Sequence, residues 1–231
     1  MEKINYQKEL EKILARLPAE GGKKPSLLLH ACCGPCSSYI IEYLSGIFDI
    51  TIYYYNPNIH PEKEYLRRLE ELKKFLTVFP ASLENKVKLV IDGYDPEDFF
   101  SATNVRKEVE LQREPERGER CRRCYALRMS RSWTYACNND FDWFTTTLTI
   151  SPHKDSKMIN EIGLSLEKQK PEGVKTCFLL ADFKKKNGFL RSTQLSLKFG
   201  LWRQEYCGCV FSMQNSGENN KIEERLPEAK K

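Results

Sequence analysis

Apolar and polar positions alternate along the chain in short and long blocks. Nearly continuous apolar runs at 26–30 (SLLLH), 48–55 (FDITIYYY), 86–91 (KVKLVI), 141–150 (FDWFTTTLTI) and 175–181 (KTCFLLA) predict five buried strands. The stretches between them carry apolar residues every three to four positions and predict helices. SSYIIEYL (37–44) follows the first strand. Pro61 stands as the first helical residue of EKEYLRRLEELKKFL, where acidic residues lead and basic ones close. DPEDFFSAT, the segment Cys121 to Cys137, DSKMINEIGLSLEKQ and STQLSLKFG supply the remaining helices, the last stopping at Gly200. At the N-terminus, Ile4, Leu10, Ile13, Leu14 and Leu17 predict a helix over 3–17, broken by Pro18 and Gly21-Gly22.

Strands separated by helices, without hairpin turn signals, imply an α/β fold: one parallel sheet with helices on both faces, in a single domain. The expected organisation is an N-terminal helix in 1–25, a catalytic α/β domain over 26–212 and a polar, mobile tail over 213–231. Parallel sheets bind ligands beyond the carboxyl ends of their strands. The segments HACCGPCSS, NPNIHPE, DGYDPED, TISPHKDS and DFKKKNG are therefore expected to share one rim.

Composition narrows the class of protein. A mean hydropathy of −0.58 and the lack of any apolar run near twenty residues exclude a membrane-spanning helix. Charged residues interrupt the N-terminus as no signal peptide would, so a cytoplasmic location is expected. The net charge of +5 decides little by itself.

Cysteine changes the picture. Nine are present in the 231 residues, an odd number that argues for metal or redox chemistry over a disulfide framework. With three histidines in the chain, any metal site would be rich in thiolate, favouring zinc or iron–sulfur. The clusters are Cys32-Cys33-Gly-Pro-Cys36, Cys121-x-x-Cys124 and Cys207-Gly-Cys209; Cys137 and Cys177 read as core residues. Vicinal Cys32 and Cys33 diverge from adjacent backbone positions, which suits a cluster with separated irons better than one zinc ion. Cys121 and Cys124 fall on one face at a helix start. Cys32, Cys33, Cys121 and Cys124 thus make a four-thiolate set, with a structural zinc ribbon still open. Cys33-Gly34-Pro35-Cys36 also reads as a thioredoxin-like redox motif. Cys207 and Cys209 are a candidate two-electron pair or further ligands.

Around these clusters, His153 and Asp182 are candidate proton donors. Arg122 and Arg123, in an arginine-rich stretch from 113 to 131, and Lys184, Lys185, Lys186 and Arg191 are candidates for contact with a polyanion. Among Tyr53, Tyr54 and Tyr55, one reads as core and another as a platform for an unpaired base.

The strings LLLHACCGPCSSYIIEYL, YYNPNIHPEKEYLRRLEELKKF, GERCRRCYALR, FDWFTTTLTISPHKDSKMINEIG and DFKKKNGFLRSTQLSLKFGLWRQEYCGC together resemble the QueH family of epoxyqueuosine reductases, over roughly residues 26 to 212. The resemblance implies a fold of the nucleotide α-hydrolase (PP-loop-like) group. It implies reduction of epoxyqueuosine to queuosine at the wobble position of a tRNA anticodon, without cobalamin and with an external electron donor. A 4Fe-4S cluster would fall on Cys32, Cys33, Cys121 and Cys124, with Cys36 where an additional ligand to one further iron would sit. Cys207 and Cys209 match the redox-active, disulfide-forming pair. ACCGPCSS stands where ATP-cleaving relatives carry a phosphate loop, so no ATP is expected. The readings apart from this resemblance are a zinc-stabilised RNA-binding module and a thiol oxidoreductase.

Overall fold

The computed structural model describes residues 4–17 and 23–214. Five parallel strands form one sheet in the order β3-β2-β1-β4-β5: β1 (Ser26–His30), β2 (Asp49–Tyr54), β3 (Lys88–Ile91), β4 (Trp143–Thr146) and β5 (Cys177–Phe178). This is the expected parallel α/β sheet, and its order is that of the doubly wound nucleotide-binding folds.

Side chains alternate across β1. Leu27 and Leu29 join one core with Ile40, Ile41, Leu72 and Phe75, from α2 (Gly34–Leu44) and α3 (Glu62–Val78). Leu28 joins the other with Tyr125, Met129 and Trp133 of α7 (Glu119–Asn138) and Ile159 of α8 (Ser156–Lys168). Helices therefore cover both faces. The remaining helices are α1 (Tyr6–Leu14), α4 (Pro80–Glu84), α5 (Pro96–Thr103), α6 (Glu110–Arg113), α9 (Gly188–Lys198) and α10 (Val210–Gln214). None among the described residues is long and apolar enough to cross a membrane.

Several expectations shift. The run 141–150 is not one strand: β4 ends at Thr146, whose hydroxyl accepts from the Leu148 amide at 3.2 Å and caps a 3₁₀ turn over Thr147–Ile150. A threonine side chain here replaces the next ladder bond. The run 175–181 keeps only two ladder residues. Beyond them Asn160 takes over, its Oδ1 accepting from the Ala181 amide at 3.0 Å. Pro61 is the N-cap of α3 rather than its first residue, and the His60–Pro61 peptide is cis. The domain boundary expected at 212 falls inside α10, and the tail from 215 lies outside the described residues.

The chain leaves β1 toward β2 and β3 on one side, then returns to β4 and β5 on the other. The crevice above β1 and β4 is where such a sheet opens to a ligand.

Candidate functional site: a cavity lined by cysteines

Above β1, the chain turns directly into α2. Cys33 is the N-cap, its Sγ accepting from the Cys36 amide at 3.3 Å, and Pro35 sits in the first turn. This capping starts α2 three residues before the apolar pattern does and draws three thiols together. The sulfurs of Cys32, Cys33 and Cys36 lie within 4.8 Å of one another, with Cys32 and Cys33 3.8 Å apart. Hydrogen bonds from Cys33 and Cys36 hold the Cys32 thiol well below its ordinary range. Burial pushes Cys33 up, and the hydrogen bond with Cys32 pushes Cys36 up to about 12. Of the three thiols, Cys32 is thus the most readily ionised. Gln204 closes over it, Nε2 standing 3.1 Å from Cys33 Sγ and 3.6 Å from Cys36 Sγ.

A second group of thiols comes from α7 and the segment after α9. Cys121 and Cys124 lie on the first turns of α7, as expected. Burial pushes Cys124 up to about 12, and burial also raises Cys121 and Cys209. Cys32, Cys36, Cys121 and Cys207 line one cavity of about 530 Å³. Cys209 turns away from it into an apolar cluster with Phe99, Phe100 and Phe211. All nine cysteines are free thiols.

Two cations stand between the thiol groups. Arg128 is buried and donates to Asn56 Oδ1 at 2.6 Å; Asn56 in turn donates to the carbonyl of Ala31 at 2.9 Å. Its Nε has no partner. Burial opposes the Arg128 charge, but Cys124, Cys32 and Cys207 outweigh it and hold it protonated. The half-buried Lys154 lines the cavity, and its charge is held in the same way by Cys207, Cys32 and Cys36.

The Cys207-Gly208-Cys209 segment is clamped from below. Arg68, 1% exposed and paired with Glu64 at 2.7 Å, donates to the carbonyls of Cys207 at 3.0 Å and Tyr206 at 3.2 Å. The His60 amide donates to the Gly208 carbonyl at 2.8 Å, and the Tyr206 hydroxyl donates to the His60 carbonyl at 2.7 Å. Gly208 has φ +107°, and a Cβ there would stand 2.9 Å from Ile59 and 3.0 Å from Arg68 Nη1. Only glycine suits both the dihedral and the space.

Other expected residues fall in varied places. His153 is exposed on the cavity lining, where Arg117 Nη2 donates to the carbonyl of Pro152 at 2.5 Å and steadies the rim. Asp182 is not part of that lining: it is buried and accepts from Ser156 Oγ at 3.1 Å and Lys184 Nζ at 2.6 Å. The basic residues are mostly occupied. Arg122 and Arg123 pair with Glu119, Arg123 also with Glu108, Arg191 with Glu42 and Lys186 with Glu11, while Lys185 is exposed. No tyrosine of 53–55 is available to a base. All three are buried, their hydroxyls donating to Asp92, to the Tyr65 carbonyl at 3.0 Å and to Asp98 at 2.8 Å. Cys137 packs partly buried against the α7 core, and Cys177, on the edge strand β5, is likewise half-buried, its Sγ donating to the Lys175 carbonyl at 3.4 Å. The structure does not favour the thioredoxin-like reading: Cys33 is 1% exposed beneath Gln204 and Cys36 meets only the cavity, so the pair is not presented at the surface where a protein disulfide would reach it.

Gln204, Lys154 and Arg68 were not singled out from the sequence, and Arg128 only as one arginine of the basic stretch from 113 to 131. The only signal for them was proximity in sequence to cysteine clusters, and Arg68 lacked even that.

The family model for Epoxyqueuosine reductase QueH matches residues 27–215. The curated Epoxyqueuosine reductase QueH of Streptococcus pyogenes serotype M1 is 39% identical over 216 residues, which cover 94% of this chain and 81% of that one. That of Staphylococcus epidermidis is 39% identical over 216 residues, with 94% and 87% covered. The Thermotoga maritima protein of the same name is 31% identical over 201 residues, with 84% and 94% covered. Among solved structures, the U34-tRNA thiolase NcsA from Methanococcus maripaludis with its [4Fe-4S] cluster has a TM-score of 0.48 at 14% identity, covering 90% of this chain and 70% of that one. Matches of this length and identity to the curated proteins lead to one conclusion: the chain belongs to the QueH family of epoxyqueuosine reductases.

Proposed function

We propose that this protein reduces epoxyqueuosine to queuosine in the anticodon of a tRNA, at the cavity above β1 and β4. The observation that carries the reading is the convergence of Cys32, Cys36, Cys121 and Cys207 with the cation Lys154 on one cavity, in a chain of this family. Converting an epoxide to an alkene takes two electrons and two protons and releases the oxygen as water. The site must therefore supply reducing equivalents, a cationic or acidic partner for the oxygen, and shelter from solvent.

The donor set fits an iron–sulfur centre. Soft thiols from two segments, Cys32 and Cys124, both act on Arg128, a buried guanidinium with an unpartnered Nε and no carboxylate among the described residues on it, which suits an anionic thiolate–iron group. Cys32, Cys33, Cys121 and Cys124 would hold a 4Fe-4S cluster, with Cys36 as a further ligand. When bound, such a centre supplies one-electron transfer beside the substrate.

The chain's own residues account for the rest. Lys154 presents its ammonium to the cavity, where it can hydrogen-bond the epoxide oxygen and stabilise charge as the C–O bond opens. His153 beside it is a second proton source from solvent. Oxidation of Cys207 and Cys209 to a disulfide releases two electrons and two protons, which balances the reaction; an external donor then restores the dithiol. In the present conformation Cys207 meets the cavity and Cys209 is buried, so pairing requires Cys209 to turn out of its apolar cluster. Gln204 covers Cys33, the member of the triplet that does not line the cavity. Exposed Lys185, together with Arg122, Arg123, Lys184, Lys186 and Arg191 once their carboxylates are displaced, would meet RNA phosphates.

The test uses tRNA from cells blocked at this step, incubated anaerobically with the loaded enzyme and a low-potential reductant. Nucleoside mass analysis should show loss of one oxygen from epoxyqueuosine. Cys207→Ser and Cys209→Ser should abolish turnover and keep the iron–sulfur absorbance; Cys32→Ser and Cys121→Ser should lose both. A colourless, zinc-loaded protein without turnover would refute the assignment.

A further inference from the structure

We propose that Phe189 and Arg203 form a stacking shelf for an unpaired nucleobase at the mouth of the cavity, an inference that rests on the reading of the protein as an enzyme acting on a tRNA anticodon. Phe189 is the one aromatic among the exposed large hydrophobic side chains of the described residues, at 36% exposure, and it lines the cavity. The tyrosines that the sequence offered for this role are buried and the half-buried Tyr206 on the same lining is tied to the His60 carbonyl, so Phe189 is the most open aromatic face of the cavity.

The ring is held in place. Phe189 is the second residue of α9, and the preceding Gly188 lies so close to the chain that a Cβ would stand 2.0 Å from the Phe183 carbonyl oxygen and 2.5 Å from the Tyr39 ring. One turn on, Ser192 Oγ donates to the carbonyl of Pro35 at 3.1 Å, tying α9 to the turn that carries Cys33 and Cys36. The distance from ring to thiols is therefore set by packed backbone.

Arg203 completes the shelf. Its guanidinium carbon is 5.4 Å from the Phe189 ring centroid, and Nη1 donates to Ser192 O at 3.3 Å, Ser192 Oγ at 3.1 Å and Ser196 Oγ at 3.0 Å. These partners are neutral oxygens, whereas Arg122, Arg123 and Arg191 are neutralised by carboxylates. An aromatic face beside a fixed, uncompensated guanidinium is the surface on which unpaired bases stack, and the charge also meets the adjoining phosphate. A base drawn onto it would leave its 3′ or 5′ neighbour over the cavity.

The test uses an anticodon stem–loop RNA with 2-aminopurine next to the wobble position, and the loaded enzyme. Binding to the wild type should quench the fluorescence. F189L should weaken binding about tenfold and abolish the quench with the salt dependence intact, and F189W should restore both. R203Q should weaken binding and reduce the salt slope by about one. Thermal unfolding of F189L matching the wild type assigns the loss to the shelf. Wild-type affinity and quench in F189L would overturn the shelf while leaving the enzymatic reading intact. Unchanged RNA binding with slower re-reduction by a protein electron donor would also overturn it, making the patch a donor-docking surface. Failure of the wild type itself to bind or reduce the RNA would overturn the enzymatic reading and the shelf together.

Discussion

Arg68 lies beneath Cys207, its Nη1 donating to the Cys207 carbonyl oxygen at 3.0 Å from a helix 139 residues away in sequence. The contact fixes the backbone of the Cys207–Cys209 segment, which has no regular secondary structure of its own. Replacing Arg68 by Met should cost about 3 kcal/mol of stability or more, because Glu64 and two buried carbonyls lose their donor. Arg68→Lys keeps the charge without the fork and should recover part of it. Urea unfolding under anaerobic conditions measures both, and unchanged midpoints would remove Arg68 from this role.

Gln204 donates toward two sulfurs at once. In Gln204→Leu these N–H···S bonds vanish, and the reduced, more negative state of the centre loses stabilisation. The reduction potential should fall, read in a titration followed by electron paramagnetic resonance, with iron content unchanged. An unaltered potential would mean that the amide only fills space.

The buried charge of Arg128 ties metal loading to stability. Stripping the iron leaves this guanidinium, and Lys154 near it, without an anionic centre and among thiols of which burial raises Cys33, Cys121 and Cys124, so the stripped protein should melt well below the loaded one. Arg128→Gln removes part of that penalty and should narrow the gap between the two melting temperatures. An equal gap in both proteins would contradict the argument.

Asp92 predicts a pH dependence away from the cysteines. Burial raises its carboxyl, but Arg131 at 2.7 Å and the Tyr53 hydroxyl outweigh this and hold it below the usual range. A folded value below the unfolded one means the unfolded chain binds the proton more readily, so the stabilisation is complete above about pH 4 and is lost as pH falls through the depressed value. Asp92→Asn should cost about 1–2 kcal/mol at pH 7, with the difference closing in acid. A difference independent of pH between 7 and 2 would show that the charge contributes nothing.

Much of the fold was legible in the pattern of apolar residues. β1 occupies the predicted residues 26–30, and Cys121 and Cys124 sit at a helix start because the arginine-rich segment has helical periodicity. The overrun at β4 has a local cause, since a threonine run reads as β-branched strand until one hydroxyl caps the next turn. The triplet was only half legible. Spacing set Cys32 and Cys33 against Cys121 and Cys124, whereas the N-cap geometry of Cys33 draws Cys36 into the first group. Contacts such as Arg128 with Asn56 or Gln204 with Cys33 span 72 and 171 residues, and no local pattern encodes them. The tyrosines show the reverse error: their apolar rings and polar tips suit either a base or a buried hydrogen bond, and acceptors on neighbouring segments decide the matter.

The cavity draws thiols from the first crossover, from α7 and from the stretch after α9. A ribosome delivers Cys32 long before Cys207, and the cavity has no complete wall until nearly the whole chain has emerged. A centre held by Cys32, Cys33, Cys121 and Cys124 would have its ligands once Cys124 is made, but would gain its shelter from solvent only when the stretch after α9 closes the cavity. Iron and sulfide would enter through the same mouth that later admits the anticodon, and maturation and substrate binding become mutually exclusive uses of one opening.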